Sequence, residues 1–211
     1  MSGPDPEEAR RRYDRMATDY DRSLDTGRSV MERMRRRAVA GLGLRAGDTV
    51  LDIGCGTGAS FPLLATAVGP RGRVVGVDQS AAMLAQARSR IASEGWPNIE
   101  LIEAPIQDAR LPASADGALL FFTHDLLQTP AALDNVVAAL RPGGRVATGG
   151  MKRPSGGLVP LGWLVWLAMR RYVTTKAGLD TPWALLAERL PEVRVGQRLL
   201  GTLYLCTAMK A

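Results

Sequence analysis

Cysteine and histidine are the scarcest reactive residues in this chain: two Cys and one His among 211 residues. Cys55 lies in a glycine-rich loop and Cys206 in an apolar strand pattern, and neither has the spacing of a metal knuckle or a disulfide framework. Structural zinc modules and cystine-stapled folds are thereby excluded, no metal is expected, and a reducing, cytoplasmic setting is. The N-terminus is polar and charged, without the apolar core of a signal peptide. Long hydrophobic runs are lacking too. The longest, over 158–169, is interrupted by Pro160 and Gly162 and falls short of the roughly 20 residues that span a bilayer. Any contact with a membrane is therefore expected to be peripheral.

What is present fits an ordinary globular domain. Apolar residues make up 46% and charged residues 23%, enough for a real core in a single domain. The net charge of +6 comes mostly from Arg. It suits an anionic partner, although a solvated Arg-rich surface explains it as well, because charge speaks to association rather than to fold.

Periodicity sets the organisation. Residues 1–45 read as a charged helical segment, in which Tyr13-Asp14 and Tyr20-Asp21 recur seven residues apart on one face. A helix over 29–41 carries Val30, Met34, Ala38 and Val39 at helical spacing, with Arg35, Arg36 and Arg37 read as a solvated face. Strands are expected over 49–53, 73–78, 99–104, 117–123 and 145–149. Helices alternate with them: one from Ala59, one capped by Ser80 and closing near Gly95, and one opened by Pro130. Such alternation means a parallel sheet covered on both faces. Two last strands, over 193–199 and 202–209, turn so tightly at Gly201 that they must be antiparallel. The expected fold is α/β: a Rossmann-like doubly wound sheet of seven strands, mostly parallel, with a C-terminal antiparallel hairpin. Within this single domain the chain divides into a helical lid (1–45), a cofactor-binding core (46–151), an apolar insert (152–191) and the hairpin (192–211).

The core is organised around Val50-Leu51-Asp52-Ile53-Gly54-Cys55-Gly56-Thr57-Gly58, a strand that runs into three alternate glycines before a helix. Glycines permit the turn and let a ligand approach the backbone. The spacing also satisfies a dinucleotide fingerprint, with Asp78 near the place of its ribose acid. Asp52 argues otherwise. A carboxylate at that mouth repels a pyrophosphate and suits a ligand bearing ammonium or sulfonium charge. S-adenosylmethionine carries both cations, and a ribose diol for Asp78 to accept from.

These stretches resemble the motifs of class I S-adenosylmethionine-dependent methyltransferases. Residues 50–58 are similar to the family's first motif. Val74-Val75-Gly76-Val77-Asp78-Gln79-Ser80 is similar to its second, and Leu140-Arg141-Pro142-Gly143-Gly144 to the turn after its fourth strand. The resemblance implies that Asp52, Gly54, Cys55 and Gly56 line the methionine moiety and that Asp78 binds the ribose hydroxyls. It also implies that Gln79 follows ribose and adenine and that Met83 covers one adenine face; Thr123, after the fourth strand, is a further candidate cofactor-binding residue. Family members often place an Asp after the third strand for the adenine amino group. This chain has Ala104-Pro105-Ile106 instead, so recognition would fall to Pro105 and Ile106 through backbone and packing, with Asp108 left at the surface.

The acceptor side is set by fewer signals. His124 follows the fourth strand at the expected active-site mouth, where an imidazole titrates in the range useful for a general base. It is equally readable as a structural histidine, and Asp125 reads either as orienting it or as the start of the next turn. The tyrosine pattern resembles that of small-molecule and lipid methyltransferases, which implies a latch of Tyr20, or alternatively Tyr13, with His124. Trp163 and Trp166 in the apolar insert suggest a lid over the site that binds an apolar acceptor, with packing on the sheet or dimerisation the equal alternative. The sequence Phe121-Phe122-Thr123-His124 differs from the Asn/Asp-Pro-Pro-aromatic tetrad of nucleic-acid amino methyltransferases, so a nucleic-acid partner is not expected.

The expected activity is methyl transfer to O, N or C of a small, largely apolar molecule (aromatic, isoprenoid, quinone or natural product). S-adenosylhomocysteine would be the product and the protein a monomer or homodimer. Ranked behind it are a phospholipid headgroup N-methyltransferase, an RNA methyltransferase, a non-catalytic cofactor-binding accessory protein and, last, a dehydrogenase.

Overall fold

The computed structural model describes residues 28–154, 163, 166–167, 177–199 and 201–211. Tyr13 and Tyr20, and most of the apolar insert, lie outside the described residues. Helix α1 (Arg28–Leu42) buries Met31, Met34, Ala38, Val39 and Leu42 along one side. It leads to β1 (Thr49–Ile53), α2 (Phe61–Val68), β2 (Arg73–Asp78), α3 (Ala81–Glu94) and β3 (Ile99–Glu103). There follow β4 (Ala115–Phe121), α4 (His124–Leu127), α5 (Pro130–Ala139), β5 (Leu140–Met151), α6 (Ala184–Ala187), β6 (Arg194–Arg198) and β7 (Leu203–Met209).

The seven strands form one sheet in the order β3-β2-β1-β4-β5-β7-β6. Strands β1 to β5 are parallel, and β7 runs antiparallel to both β5 and β6. This is the expected doubly wound sheet with its closing hairpin. Alternation along β1 shows how the two faces are built. Val50 packs with α1, α2 and α3 residues such as Val39, Phe61 and Leu84, while Leu51 and Ile53 pack with Leu133 and Val136 of α5. Ser80 caps α3 as its residue type predicts, its hydroxyl accepting from the Met83 N–H at 3.2 Å, and Gly95 closes the helix in the left-handed conformation.

Three details differ from the sequence expectation. The helix after the glycine loop begins at Phe61, because 58–60 form turns. The Arg141-Pro142-Gly143-Gly144 stretch lies within β5 rather than before it. Ala115 pairs with Leu140 and Gly117 with Arg145, so the stretch is an excursion of the ladder. The helix after Trp183 is a single turn, Ala184–Ala187.

Chain order places the crevice. From β1 the chain winds outward through β2 and β3, then returns to β1's other side as β4. Ligands of such sheets bind beyond the carboxyl ends of the strands at this switch point. Here that point is the gap above β1 and β4, where Asp52 pairs in register with Leu119.

Candidate active site

On the β2 side, the backbone of the glycine loop is tied down. The Gly54 and Cys55 N–H groups donate to the Val77 carbonyl at 2.8 and 3.1 Å. Asp78, at the end of β2, accepts from the Gly56 N–H through Oδ2 and from the Ser80 N–H through Oδ1, both at 2.9 Å. Gly56 has φ 55°, and a Cβ built on it meets nothing within 4 Å, so its face is open. Gly54, with φ +69°, is the opposite case: a Cβ there would lie 2.5 Å from Thr123 Cγ2. The first and fourth strand exits therefore touch, and only glycine allows it.

Asp52 stands between the two sides. It is 2% exposed and its Oδ2 has no hydrogen-bond partner. Burial lifts its carboxyl from 3.8 to about 7; the Arg35 guanidinium pulls it down and Asp78 pushes it up. A buried carboxylate with an orphaned oxygen is costly unless a cation completes it. This acceptor fits a ligand with an ammonium group.

Arg35 was read from sequence as part of a solvated face; Arg36 and Arg37 are exposed, but Arg35 is not. Its side chain is only 14% exposed, pairs with Glu32 at 3.2 Å and lies over the Phe121 ring at 5.0 Å. Its Nε is buried without a partner. The signal was present in the helix periodicity: Arg35 falls in the same row as buried Met31 and Val39, four residues to either side. A charge in an apolar row is a candidate site residue.

The loop after β3 is held by a second residue the sequence reading missed. Asn135 of α5 donates through Nδ2 to the carbonyls of Ile106 (2.6 Å) and Ala109 (2.9 Å). Ile106 is buried at that bend, Pro105 half-buried before it, and Asp108 exposed. Met83 is fully buried at the start of α3, and Gln79 is half-buried. Cys55 is buried, and desolvation chiefly, with the negative charge of Asp52 and Asp78, raises its thiol well above the usual range. It is inert packing in this loop, not a nucleophile.

On the β4 side, Phe122 adopts φ 61°, a left-handed conformation unusual for an aromatic residue, and turns the chain into α4. Thr123 and His124 follow. The Thr123 Oγ1 and His124 Nδ1 are buried without partners. His124 Nε2 lies 2.8 Å from the Ala177 carbonyl. A carbonyl can only accept, so Nε2 carries the proton and Nδ1 presents its lone pair. Ala177, rather than Asp125, thus fixes the ring. Desolvation lowers the imidazole's pKa, outweighing the bond to Ala177 and the charge of Asp125, so His124 is neutral at pH 7.

Beyond β4 the wall is apolar. Met34, Met151 and Leu203 form a buried cluster against which Phe121, Phe122 and Trp166 pack. The Trp166 Nε1 is another buried donor without a partner. Trp163 meets Trp166 edge-on, with ring centroids 5.0 Å apart, but is itself 43% exposed. Trp166 thus packs on this cluster, and Trp163 is turned outward. Among the described residues, no group of three or more His, Cys, Asp or Glu could hold a metal ion.

Comparison with known proteins decides between the ligands this crevice could take. A methyltransferase-domain family model matches residues 50–144. Demethylmenaquinone methyltransferase of Symbiobacterium thermophilum is 30% identical over 189 residues, covering 83% of this chain and 74% of that protein. The chain belongs to the class I S-adenosylmethionine-dependent methyltransferases. A 2-phytyl-1,4-naphtoquinone methyltransferase of Thermosynechococcus vestitus is 37% identical over 138 residues, 64% of this methyltransferase and 60% of that one. Among solved structures, the N-methyltransferase NodS of Bradyrhizobium japonicum with S-adenosyl-L-homocysteine superposes at TM-score 0.60 with 22% identity, over 85% of this chain and 87% of that one. The [4+2]-cyclase SpnF superposes at 0.67 with 16% identity, over 100% and 97%. At those identities the likeness is one of fold. S-adenosylmethionine is the cofactor of this methyltransferase, and the expected seven-stranded Rossmann-like class holds.

Proposed function

We propose that this methyltransferase methylates an apolar, oxygen-bearing aromatic ring of the hydroquinone or phenol class. The observation that carries the reading is the aromatic and aliphatic cluster of Phe121, Phe122, Trp166 and Met151 at the end of β4, with His124 two residues beyond Phe122 and its Nδ1 lone pair unclaimed. The names of the quinone-methylating relatives support the same acceptor class.

Asp52 takes the cofactor's ammonium group and Arg35 its carboxylate. The two side chains offer opposite charges, each with an unpartnered atom, to one amino-acid end. Asp78 accepts from the ribose hydroxyls, while Met83, Pro105 and Ile106 pack about the adenine. When bound, the cofactor supplies a methyl on a sulfonium, so the departing sulfur needs no acid. What the chain must do is align the acceptor and remove a proton. His124 Nδ1 takes the phenolic proton, leaving an electron-rich ring or oxygen to attack, and the Ala177 carbonyl steadies the Nε2–H as the ring becomes cationic. The apolar wall excludes water from that transfer.

Labelled cofactor offered with hydroquinones bearing and lacking isoprenoid tails, catechols, phosphatidylethanolamine and tRNA tests the reading. Label is expected in the hydroquinones, and His124→Ala is expected to lower kcat by about 10²-fold or more with cofactor affinity unchanged. Label only in phosphatidylethanolamine or only in tRNA overturns it.

A further inference from the structure

We propose that Gln128 is the positioning residue of His124. Its amide holds the turn at 177–182 against α4, so that the Ala177 carbonyl stays on Nε2 and Nδ1 is left with the lone pair. The inference rests on the reading of His124 as the proton acceptor and adds to it the residue that keeps the ring ready.

Helix α4 is one turn long, with His124 as its first residue and Gln128 at its C-cap. Four residues apart, the two side chains fall on one helical face. Both reach the turn that precedes α6. His124 Nε2 lies 2.8 Å from the Ala177 carbonyl, and Gln128 Nε2 donates to the Pro182 carbonyl at 3.2 Å. Pro182 is buried, so its carbonyl needs an internal donor, and of the two ends of the Gln128 amide only the NH2 can serve. That fixes which way the amide faces. Its other end rests against Gly178, which has φ +67°. A Cβ built there would fall on the Gln128 amide, so the turn closes over this side chain at a position that only glycine fills.

Ala177 is itself exposed, so burial does not hold its carbonyl in place. What places it beside the imidazole is the next residue, pressed on Gln128. On its other flank the turn is tied to the chain leaving β5. The Arg153 N–H donates to the Leu179 carbonyl at 2.9 Å, and the Arg153 guanidinium pairs with exposed Asp180 at 3.2 Å. Those contacts fix the turn to the sheet. Gln128 fixes it to the helix that carries the imidazole, so that ring and carbonyl move together. An imidazole whose Nε2–H loses its acceptor is free to rotate or to carry its proton on Nδ1 instead, and either change removes the lone pair from its place.

The chain has one histidine, so ring-nitrogen NMR of the untagged protein reports on His124 alone. The parent spectrum is expected to show the Nε2–H tautomer. Gln128→Ala removes the clamp from the helix side and Gly178→Ala displaces it from the turn side. Each should shift the signals toward a mixture of the two tautomers. Each should also lower kcat by roughly tenfold to a hundredfold, the cost of a slightly misplaced catalytic group, with KM for S-adenosylmethionine within about twofold of the parent. Arg153→Gln cuts only an exposed ion pair of the same turn and should leave tautomer and kcat as they are. Melting temperatures certify the folds, and Gln128→Asn, too short to reach Pro182, replaces a variant that fails. An unchanged tautomer in the variants at 128 and 178 overturns the proposal. So does an equal shift in Arg153→Gln, which would assign the hold to the tie with the sheet. Failure of the base reading looks different: the tautomer still shifts in Gln128→Ala, but kcat is unchanged and His124→Ala turns over normally. That result removes the base and leaves the hold on the ring standing.

Discussion

On the β2 side of the crevice the chain satisfies its own polar groups. Asp78 uses both oxygens on the N–H groups of Gly56 and Ser80, Ser80 caps α3, and the loop amides close on Val77. On the β4 side, Thr123 Oγ1, His124 Nδ1 and Trp166 Nε1 are among the atoms left open in the described residues. Asp52 and Arg35, each with one orphaned atom, lie on the boundary. A cofactor common to a large family can be met by a preformed, backbone-built cradle, whereas on the proposed reading acceptor selection would rest on side chains held unpaired at a cost in stability, which bound ligand would complete.

The largest break in this comparison is expected from Asp78→Ala. It deletes the acceptor for two backbone N–H groups as well as the diol contact. Two charge-assisted hydrogen bonds, each about 1.5–3 kcal/mol, correspond to a loss of roughly two to four orders of magnitude in cofactor affinity. Calorimetric titration with S-adenosylhomocysteine checks it; an affinity within tenfold of the parent would mean the ribose lies elsewhere.

A smaller effect, with a pH signature, belongs to the boundary pair. Through the interval from 3.8 to about 7 the folded chain holds a proton on Asp52 that the unfolded chain has released. Stability should therefore fall as pH climbs through that interval and level off above it. Cofactor affinity should do the reverse, tightening as Asp52 ionises to receive an ammonium group. Asp52→Asn is expected to flatten both profiles. Arg35→Gln removes the cation that draws Asp52 down, so the affinity profile should shift to higher pH. It also removes the carboxylate's partner, weakening binding by about tenfold or more. An unshifted profile in Arg35→Gln would detach Arg35 from the site.

The cofactor half was legible in the sequence for a physical reason. The contacts proposed for it fall on backbone at glycines and on acids at strand ends, and both leave fixed spacings in the chain. Val50 to Gly58 and Val74 to Ser80 thus sit where their pattern placed them, as do the strand order and the closing hairpin. The acceptor half was legible only in part. His124 and Thr123 were singled out because they follow a strand, and the structure places them just beyond β4. Arg35 was misread because three consecutive arginines look solvated until the helix is wound and the middle of its apolar row proves charged. Asn135 gave no signal, since its work is to hold the backbone of a loop 26 and 29 residues away in sequence. The partner of His124, a carbonyl 53 residues on, leaves no trace in side-chain chemistry at all.

The smallest effect is also the sharpest, because stability and function should move in opposite directions. Thr123 is the N-cap of α4 yet makes no capping hydrogen bond, and its buried hydroxyl has no other partner. Thr123→Val keeps the shape and replaces the orphaned hydroxyl with a methyl. Relieving an unsatisfied buried polar group is worth about 1–2 kcal/mol, and for a chain of this size the melting temperature should rise by about 2–4 °C per kcal/mol. If the hydroxyl is held open for a ligand, affinity at the crevice should fall severalfold in the same variant. On the β2 side the outcome is inverted: Ser80→Ala removes a hydroxyl that already caps α3, so it should lower the melting temperature by a comparable amount. A Thr123→Val variant that is both less stable and fully active would show that the two sides of the crevice are built alike.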